Sequence, residues 1–295
     1  MSNEEGAPET IAFEELPDAL REACERAGWS ALMPVQEQAI PHLLAGRDLM
    51  VQSRTGSGKT GAFILPILHR IDAAAKTCRA LILVPTRELA RQVAQEAEML
   101  GGEAGLRVAA VYGGVGYGAQ LDAFRKGAPL VVGTPGRILD HLMRKSLVLD
   151  DMEVLIFDEA DRMLSMGFLP DMRRIRAFLP KRRIHGAMFS ATFPPYVVQL
   201  SEQFLHEPGM LSLSADHVHV LETEHVYYLV DAVKKDRALI RIIEVENPAS
   251  AIIFCNRKTK VDYVASLLGS FGYDADALSA DLRQKDRERV MALSL

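Results

Sequence analysis

The sequence predicts an α/β protein, in which a parallel sheet flanked by helices forms a first domain and an incomplete second α/β domain follows. Short apolar runs such as Val154–Phe157 alternate with amphipathic helical patterns along most of the chain, as βαβ units do. Several runs are almost wholly apolar, which is typical of parallel strands buried on both faces. The 295 residues, of which 48% are hydrophobic, are enough for two domains.

The first domain is expected at residues 11–213, after a polar start at residues 1–10 that is predicted to be disordered. Gly, Pro and polar residues separate its periodic segments. The predicted strands are Asp48–Gln52, Ala80–Val84, Val108–Tyr112, Leu130–Gly133, Val154–Asp158, Gly186–Phe189 and Met210–Leu213. The predicted helices between them include Thr60–Ile71, Glu88–Leu100, Arg137–Leu142 and Tyr196–Phe204.

The second domain is expected at residues 223–295, after a linker at residues 214–222 that breaks the pattern. Its predicted strands are His225–Val230, Ala251–Cys255 and Asp274–Leu278, and its predicted helices are Lys235–Glu246, Lys258–Leu268 and a closing helix from Arg283 to Leu295. The closing helix has no Gly or Pro stop signal, and three strands make a thin sheet with an unpaired edge. We therefore expect this domain to be interrupted partway.

Composition narrows the class of protein. The net charge of −5 argues against a surface that is basic all over, although it permits a local phosphate-binding edge. The densest basic stretch, residues 173–183, is interpreted as a solvated helix face and turn. No apolar run is long enough to cross a membrane. The cysteines form no CxxC pair, which predicts reduced thiols and a cytoplasmic protein.

A glycine-rich loop follows the first predicted strand and precedes a helical pattern. Its glycines allow a tight turn that aims backbone N–H groups at phosphate oxygens, while Lys59 reaches the outer phosphates and Thr60 holds Mg²⁺. Because this context surrounds the loop, a merely flexible turn is the weaker interpretation. The predicted nucleotide-binding residues of the loop are Ser53, Arg54, Thr55, Gly56, Ser57, Gly58, Lys59 and Thr60.

A second apolar strand, Val154–Phe157, is followed directly by acidic residues. Buried carboxylates there require a cation or another partner, so Asp158 is predicted to be the second Mg²⁺ ligand. Glu159 is predicted to polarise the attacking water, because in-line hydrolysis needs a base beside the γ-phosphate. A capped helix start would also account for Asp158–Asp161, but not for their pairing with a phosphate loop. Lys59 and Glu159 are therefore the candidate catalytic residues.

Three further strand ends offer free backbone N–H groups or a positive charge. Two of them begin helices with a threonine and an arginine, and the third is a pair of glycines. Singly, each is an ordinary cap or turn, but together on one sheet edge they indicate a polynucleotide bound by its backbone. The predicted contact residues are Pro85, Thr86, Arg87, Gly113, Gly114, Thr134, Pro135, Gly136 and Arg137.

With these motifs in order, the chain resembles a DEAD-box ATP-dependent RNA helicase over nearly all its length. Asp158–Asp161 matches the name motif, Ser53–Thr60 the phosphate loop, and Ser190–Thr192 a coupling motif. The resemblance implies RecA-like domains, ATP, Mg²⁺ and RNA. It also implies that Asp161, through Ser190 and Thr192, couples the phosphate state to the position of the domains.

The segment Gly28–Gln36 resembles the family's adenine-reading motif. The resemblance implies that the Gln36 amide offers a donor and an acceptor to adenine, and that Phe13 stacks on the base. Leu32 and Met33 replace the family's usual Pro-Thr, which removes a hydroxyl contact. Without the family context, Gln36 could equally be a solvent-facing helix residue.

In the second half, Ile252–Asn256, Gln284 and Arg287 also resemble family elements. The family's later motifs, including the arginine fingers, do not occur before Leu295. Because such a finger is worth about 10³–10⁵ in turnover, we expect nucleotide binding with very slow hydrolysis. A non-catalytic nucleotide- and RNA-binding module, or a fragment of a longer gene, is the alternative. A DNA-directed relative is a third hypothesis, less favoured because of Gln36 and the Asp-Glu-Ala-Asp run.

Overall fold

A computed structural model describes residues 10–213, 224–279 and 281–293, and the chain divides into two compact units, Met1–Val218 and His219–Leu295. The predicted linker at 214–222 lies outside the described residues, as does the predicted disordered start apart from Thr10. The domain limits given above therefore stay a prediction.

The first unit contains one sheet of seven strands, and every neighbouring pair in it is parallel. The predicted parallel sheet is thereby confirmed, and each predicted strand is present with ends shifted by a residue or so. The strands are β1 Leu49–Gln52, β2 Ala80–Leu83, β3 Val108–Val111, β4 Leu130–Gly133, β5 Val154–Phe157, β6 His185–Ser190 and β7 Gly209–Ser212. Their order across the sheet is β3-β4-β2-β5-β6-β1-β7.

Helices cover both faces of this sheet. Alternate strand residues point to opposite faces, so Ile82 joins a core with the first four helices and Leu83 joins a second core on the other face. The helices are α1 Asp18–Arg26, α2 Pro34–Leu44, α3 Lys59–Arg70, α4 Arg87–Gly101, α5 Gly118–Lys126, α6 Pro135–Met143, α7 Ala160–Ser165, α8 Leu169–Arg176 and α9 Pro195–Phe204, with a 3-10 turn at Phe13–Glu15. No helix within the described ranges is long and apolar enough to cross a membrane.

The strand order sorts the motifs into two groups along one edge. Since all the strands are parallel, their carboxyl ends meet at the same edge. The three neighbouring strands β3, β4 and β2 end in the predicted polynucleotide-binding segments. The neighbouring strands β5, β6 and β1 end in the acidic motif, the Ser-Ala-Thr motif and the glycine-rich loop. The boundary falls between β2 and β5, where Asp158 N donates to Leu83 O at 2.9 Å.

The second unit contains a 3-10 turn at Ala232–Lys234 and the helices α10 Lys235–Glu246, α11 Lys258–Ser270 and α12 Gln284–Leu293. The three predicted helices are present. The three predicted strands are wrong, because residues 225–230, 251–255 and 274–278 are described without any strand. An apolar segment is suitable for a sheet, but a strand also needs paired backbone groups and a covered face. Here Leu229 is 92% exposed and Phe254 is 90% exposed.

Candidate functional site

The glycine-rich loop between β1 and α3 closes around its own lysine. Gly56 and Gly58 have φ angles of 76° and 86°, a left-handed conformation that favours glycine. Lys59 begins α3 and is only 7% exposed, and its Nζ donates to Ser53 O at 3.0 Å and Arg54 O at 3.2 Å. The loop therefore holds a buried cation at its centre, which suits an anionic ligand. Arg54, Thr55 and Gly56 form its exposed rim.

The Gln36 amide joins α2 to this loop. The side chain is 2% exposed, so the interpretation of Gln36 as a solvent-facing residue is wrong. Its Oε1 accepts from Met33 N at 2.8 Å, and its Nε2 donates to Gly58 O at 3.0 Å. The amide keeps one further N–H and one lone pair for a ligand. A Cβ on Gly61 would lie 2.7 Å from Nε2, so glycine is required at that position for the packing.

Phe13 lies in the 3-10 turn that precedes α1. It borders a cavity of about 630 Å³ whose other walls include Arg21, Glu25 and Trp29. The segment is tied to α2 through Ile11 N, which donates to Glu37 O at 2.9 Å. The Gln36 side chain does not line this cavity.

Asp158 follows β5 as a buried carboxylate with little neutralisation. It is 3% exposed, and its Oδ1 accepts from Glu159 N at 2.9 Å. Burial raises the pKa of Asp158 to about 6; the nearby Lys59 acts to lower this pKa and the Glu159 carboxylate to raise it. A carboxylate whose ionised form is disfavoured in this way is suited to a cation that replaces the lost hydration.

The donor set around Asp158 fits Mg²⁺. Thr60, next to Lys59 on α3, contributes a hydroxyl, and Glu96 on α4 forms a hydrogen bond with Thr60. Within the described ranges no cluster of three or more His, Cys, Asp or Glu side chains could enclose a metal. Mg²⁺ typically takes one or two protein ligands and completes its shell with waters and substrate phosphates, so one carboxylate and one hydroxyl suffice.

The predicted base, Glu159, is engaged by an arginine. Its backbone is left-handed, with φ and ψ both 51°, a conformation that costs energy for a residue with a Cβ. Its Oε2 accepts from Arg162 Nη1 at 3.1 Å, and the Glu159 side chain is 14% exposed. The ion pair therefore engages one of the two carboxylate oxygens of Glu159.

The structure brings the three predicted coupling residues together. Thr192 N and Thr192 Oγ1 both donate to Asp161 Oδ2, at 3.0 and 2.6 Å. Asp161 N donates to Ser190 Oγ at 3.2 Å, and Ser190 is fully buried at the end of β6. Because Ser53 N also donates to Ser190 O at 3.0 Å, this cluster connects the acidic motif with the glycine-rich loop.

The other half of the edge collects the predicted polynucleotide-binding residues. The Arg87 guanidinium lies against Gly114, where an added Cβ would overlap it. Thr86 caps α4 by accepting from Leu89 N at 3.2 Å. Thr134 occupies the corresponding position before α6 without a side-chain cap, and Pro135 stands at the first helical position. Pro85 and Pro135 are both buried, which leaves Gly113, Gly114 and Gly136 as the accessible backbone.

Sequence reasoning missed Glu96, Gln120 and His141. Glu96 interrupts the apolar stripe of α4, three residues after the buried Val93, and burial raises its pKa. An acid on an apolar helix face was therefore the available signal. Gln120 and His141 are 4% and 0% exposed and lie between the predicted polynucleotide-binding segments. The sequence around Gln120 and His141 does not mark them as functional, because each forms hydrogen bonds with residues of other elements.

Comparison with known proteins agrees with this geometry. The DEAD/DEAH box helicase model matches residues 33–200, and the helicase conserved C-terminal domain model matches residues 234–293. The chain is 40% identical over 276 residues to the ATP-dependent RNA helicase CshA of Listeria monocytogenes, covering 94% of this chain and 53% of the relative. It is 40% identical over 283 residues to the ATP-dependent RNA helicase DeaD of Escherichia coli, covering 96% and 45%.

A solved structure also matches. The crystal structure of a DEAD box protein from the hyperthermophile Methanococcus jannaschii has a TM-score of 0.66 and 34% identity, over 96% of this chain and 77% of that one. The sequence relatives are longer, however. The chain spans about half the length of the curated relatives it matches.

Proposed function

We propose, because the chain belongs to the DEAD/DEAH box helicase family, that it binds Mg²⁺–ATP and the backbone of single-stranded RNA and acts in opening short RNA duplexes. The observation that carries this proposal is the strand order, which groups the nucleotide motifs on β5, β6 and β1 beside the polynucleotide motifs on β3, β4 and β2. Two ligands on one rigid edge can influence each other through the strands between them.

In this proposal the first group binds and positions the nucleotide. Bound Mg²⁺–ATP supplies the phosphoanhydride bond that is broken and the cation that screens it. Thr60 and Asp158 would hold the cation, and Lys59 would exchange the carbonyls of Ser53 and Arg54 for the outer phosphates. Glu159 would accept the proton of the attacking water.

The Asp161 cluster would report the state of the phosphates to the rest of the sheet. Its hydrogen bonds to Thr192 and Ser190 connect the turn after Asp158 with the end of β6. A change in the position of Asp158 or Glu159 on cleavage would therefore be transmitted to residues 190–192. The adenine would lie near Gln36 and Phe13, where an amide and an aromatic ring remain available.

The second group would bind RNA through its sugar-phosphate backbone, without reading bases. Glycines at 113, 114 and 136 permit a close approach of phosphate oxygens to N–H groups, and Arg87 adds positive charge beside them. A cytoplasmic location for such a protein remains our proposal. It rests on the free thiols of Cys24, Cys78 and Cys255.

A nucleotide- and RNA-binding module without appreciable turnover is the second candidate. It is favoured by one observation: the residues assigned to ATP, Mg²⁺ and RNA all lie in the first unit. Calorimetry with a non-hydrolysable ATP analogue and Mg²⁺, followed by ATP turnover with and without RNA, separates the candidates. Both candidates predict heat of binding. Turnover that RNA strongly stimulates would identify the first candidate, and turnover that stays slow with RNA would identify the second. No heat in any condition would refute both candidates.

We expect Gly114→Ala to weaken the binding of single-stranded RNA about tenfold or more while the affinity for the ATP analogue is unchanged. Gly114 has a φ angle of 78°, and a Cβ there would displace the Arg87 guanidinium, whose Nη2 would lie 2.7 Å away. Gly113→Ala is the matched comparison, because its Cβ would lie 3.9 Å from the same atom and its backbone is not left-handed. Fluorescence anisotropy with labelled oligo-RNA measures both variants. Equal losses in the two variants would contradict the role given to Gly114.

A further inference from the structure

A buried histidine lies beneath the proposed RNA-binding surface. His141 on α6 is 0% exposed, and both of its ring nitrogens have partners. Its Nε2 lies 2.9 Å from Gln120 Oε1 and its Nδ1 lies 2.8 Å from Ser146 Oγ. Gln120 Nε2 donates to Tyr112 O at 3.1 Å, which identifies Oε1 as the acceptor of the amide and places a proton on His141 Nε2. Burial and the nearby Arg137 lower the pKa of His141 and keep the ring neutral.

Arg137 uses both of its terminal nitrogens within the protein. Its Nη1 donates to Gln120 Oε1 at 3.3 Å, and its Nη2 donates to Val115 O at 3.1 Å. The guanidinium carbon also lies 4.4 Å from the centre of the Tyr117 ring, within the range of a cation–π contact. Arg137 therefore connects the start of α6 with the loop that contains Gly113 and Gly114.

A second set of contacts anchors the far end of the same loop. Tyr117 Oη donates to Asp140 Oδ2 at 2.5 Å, and Arg144 Nε donates to Asp140 Oδ1 at 2.8 Å. Arg144 also lies over the Tyr117 ring, 4.6 Å from its centre. The loop is thus fixed at Tyr112, at Val115 and at Tyr117, and each of these anchors depends on α5 or α6.

We propose that Gln120 and His141 are positioning residues for RNA: they hold the Gly113–Gly114 loop and the Thr134–Arg137 turn in one fixed relation without touching the ligand themselves. This inference rests on the proposed RNA-binding function. Two backbone segments that must meet successive phosphates bind more tightly when they are already ordered, because ordering a residue on binding costs conformational entropy. The 4% and 0% exposure of the two side chains excludes direct contact with a polynucleotide on the surface.

The salt dependence of RNA affinity distinguishes positioning from direct contact. A side chain that neutralises a phosphate contributes about one unit to the slope of log affinity against log salt, whereas a neutral positioning residue contributes none. For Gln120→Leu and His141→Asn we expect an affinity for oligo-uridine RNA about tenfold below that of the wild type. The slope and the affinity for a non-hydrolysable ATP analogue should be unchanged. Ser146→Ala, which removes one partner of the His141 ring, should give a smaller loss in the same direction.

His185→Asn is the matched control. His185 is also a buried histidine, 6% exposed, and its Nε2 lies 2.6 Å from Arg47 O, but it begins β6 at the opposite edge of the sheet. Thermal unfolding should show a loss of stability in both histidine variants, and only His141→Asn should lose RNA affinity. If Gln120→Leu does not fold, Ser146→Ala alone tests the role, because Ser146 is partly exposed and follows the end of α6.

Several results would overturn the positioning role. It fails if folded variants bind RNA as the wild type does, if the salt slope falls by about one, or if RNA and ATP-analogue affinities fall together. It also fails if His185→Asn reproduces the loss. A wild-type chain that binds no RNA would overturn the proposed function and this role together. Normal binding by the wild type and the variants alike overturns the positioning role alone.

Discussion

Replacing Asp158 with asparagine is expected to stabilise the folded chain while removing the Mg²⁺-dependent part of its nucleotide affinity. Burial raises the pKa of Asp158 from 3.8 to about 6 in the absence of metal. A difference of that size corresponds to about 3 kcal/mol of destabilisation at neutral pH, because the unfolded chain releases this proton far more readily. Asparagine keeps an acceptor for Glu159 N and carries no charge.

The direction of the stability change in Asp158→Asn follows from the linkage between proton binding and folding. The folded-state pKa of Asp158 lies above the unfolded value, so the carboxylate destabilises the fold above about pH 6 and has no effect below about pH 4, where both states are protonated. The advantage of Asp158→Asn should therefore be full at pH 8, decrease between pH 6 and pH 4, and vanish below. Urea denaturation at these pH values, without nucleotide, measures it. A variant less stable than the wild type at pH 8 would contradict the prediction.

Asp48→Asn makes the same chemical change at a structural carboxylate. Asp48 precedes β1 and is 2% exposed; it accepts from Gly186 N in β6 at 3.1 Å and from His206 N, before β7, at 2.7 Å. An asparagine would turn an NH₂ group toward one of these donors, which should cost about 1–3 kcal/mol. The two variants should thus shift stability in opposite directions, and binding of the ATP analogue should fall only in Asp158→Asn.

The opposite stability changes expected for Asp158→Asn and Asp48→Asn show what the sequence can and cannot predict. The run Val154–Phe157 followed by Asp158 identifies a buried strand with an acid at its tip, because a parallel strand is apolar on both faces. The sequence cannot tell that Asp158 accepts only one backbone hydrogen bond from its neighbour, or that Asp48 joins elements more than 130 residues apart. Those facts depend on the strand order, which no local pattern specifies.

The other differences between the sequence predictions and the structure also arise from contacts between elements that are distant in sequence. Gln36 is an ordinary helix residue by pattern, and only the packing of α2 on α3 buries its amide against Gly58. Gln120 and His141 acquire their roles because α5 and α6 meet beneath the sheet edge. In the second unit, the apolar run at residues 251–255 predicted a strand, but such a run describes what a segment could bury and not what it has to pair with.

Replacing Lys59 with alanine is expected to lower the affinity for a non-hydrolysable ATP analogue by about 100-fold or more. The ammonium group is buried in the loop and is poised to exchange two backbone carbonyls for phosphate oxygens. Lys76→Ala is the control, because it removes the same charge from an exposed site before β2, at the amino end of the sheet. Calorimetry with Mg²⁺ present measures both variants, and equal affinities for wild type and Lys59→Ala would contradict the prediction.

Lys59 and Asp158 should also be coupled in stability. The positive charge of Lys59 lowers the pKa of Asp158, so removing it leaves a buried carboxylate with less compensation and raises that pKa further. Lys59→Ala should therefore destabilise the wild-type background more than it destabilises the Asp158→Asn background at pH 8. A double-mutant cycle by urea denaturation measures this difference, for which we expect on the order of 1–2 kcal/mol. Additive effects would mean that the two groups do not interact in the absence of nucleotide, and that the loop meets Mg²⁺–ATP without a preformed charge pair.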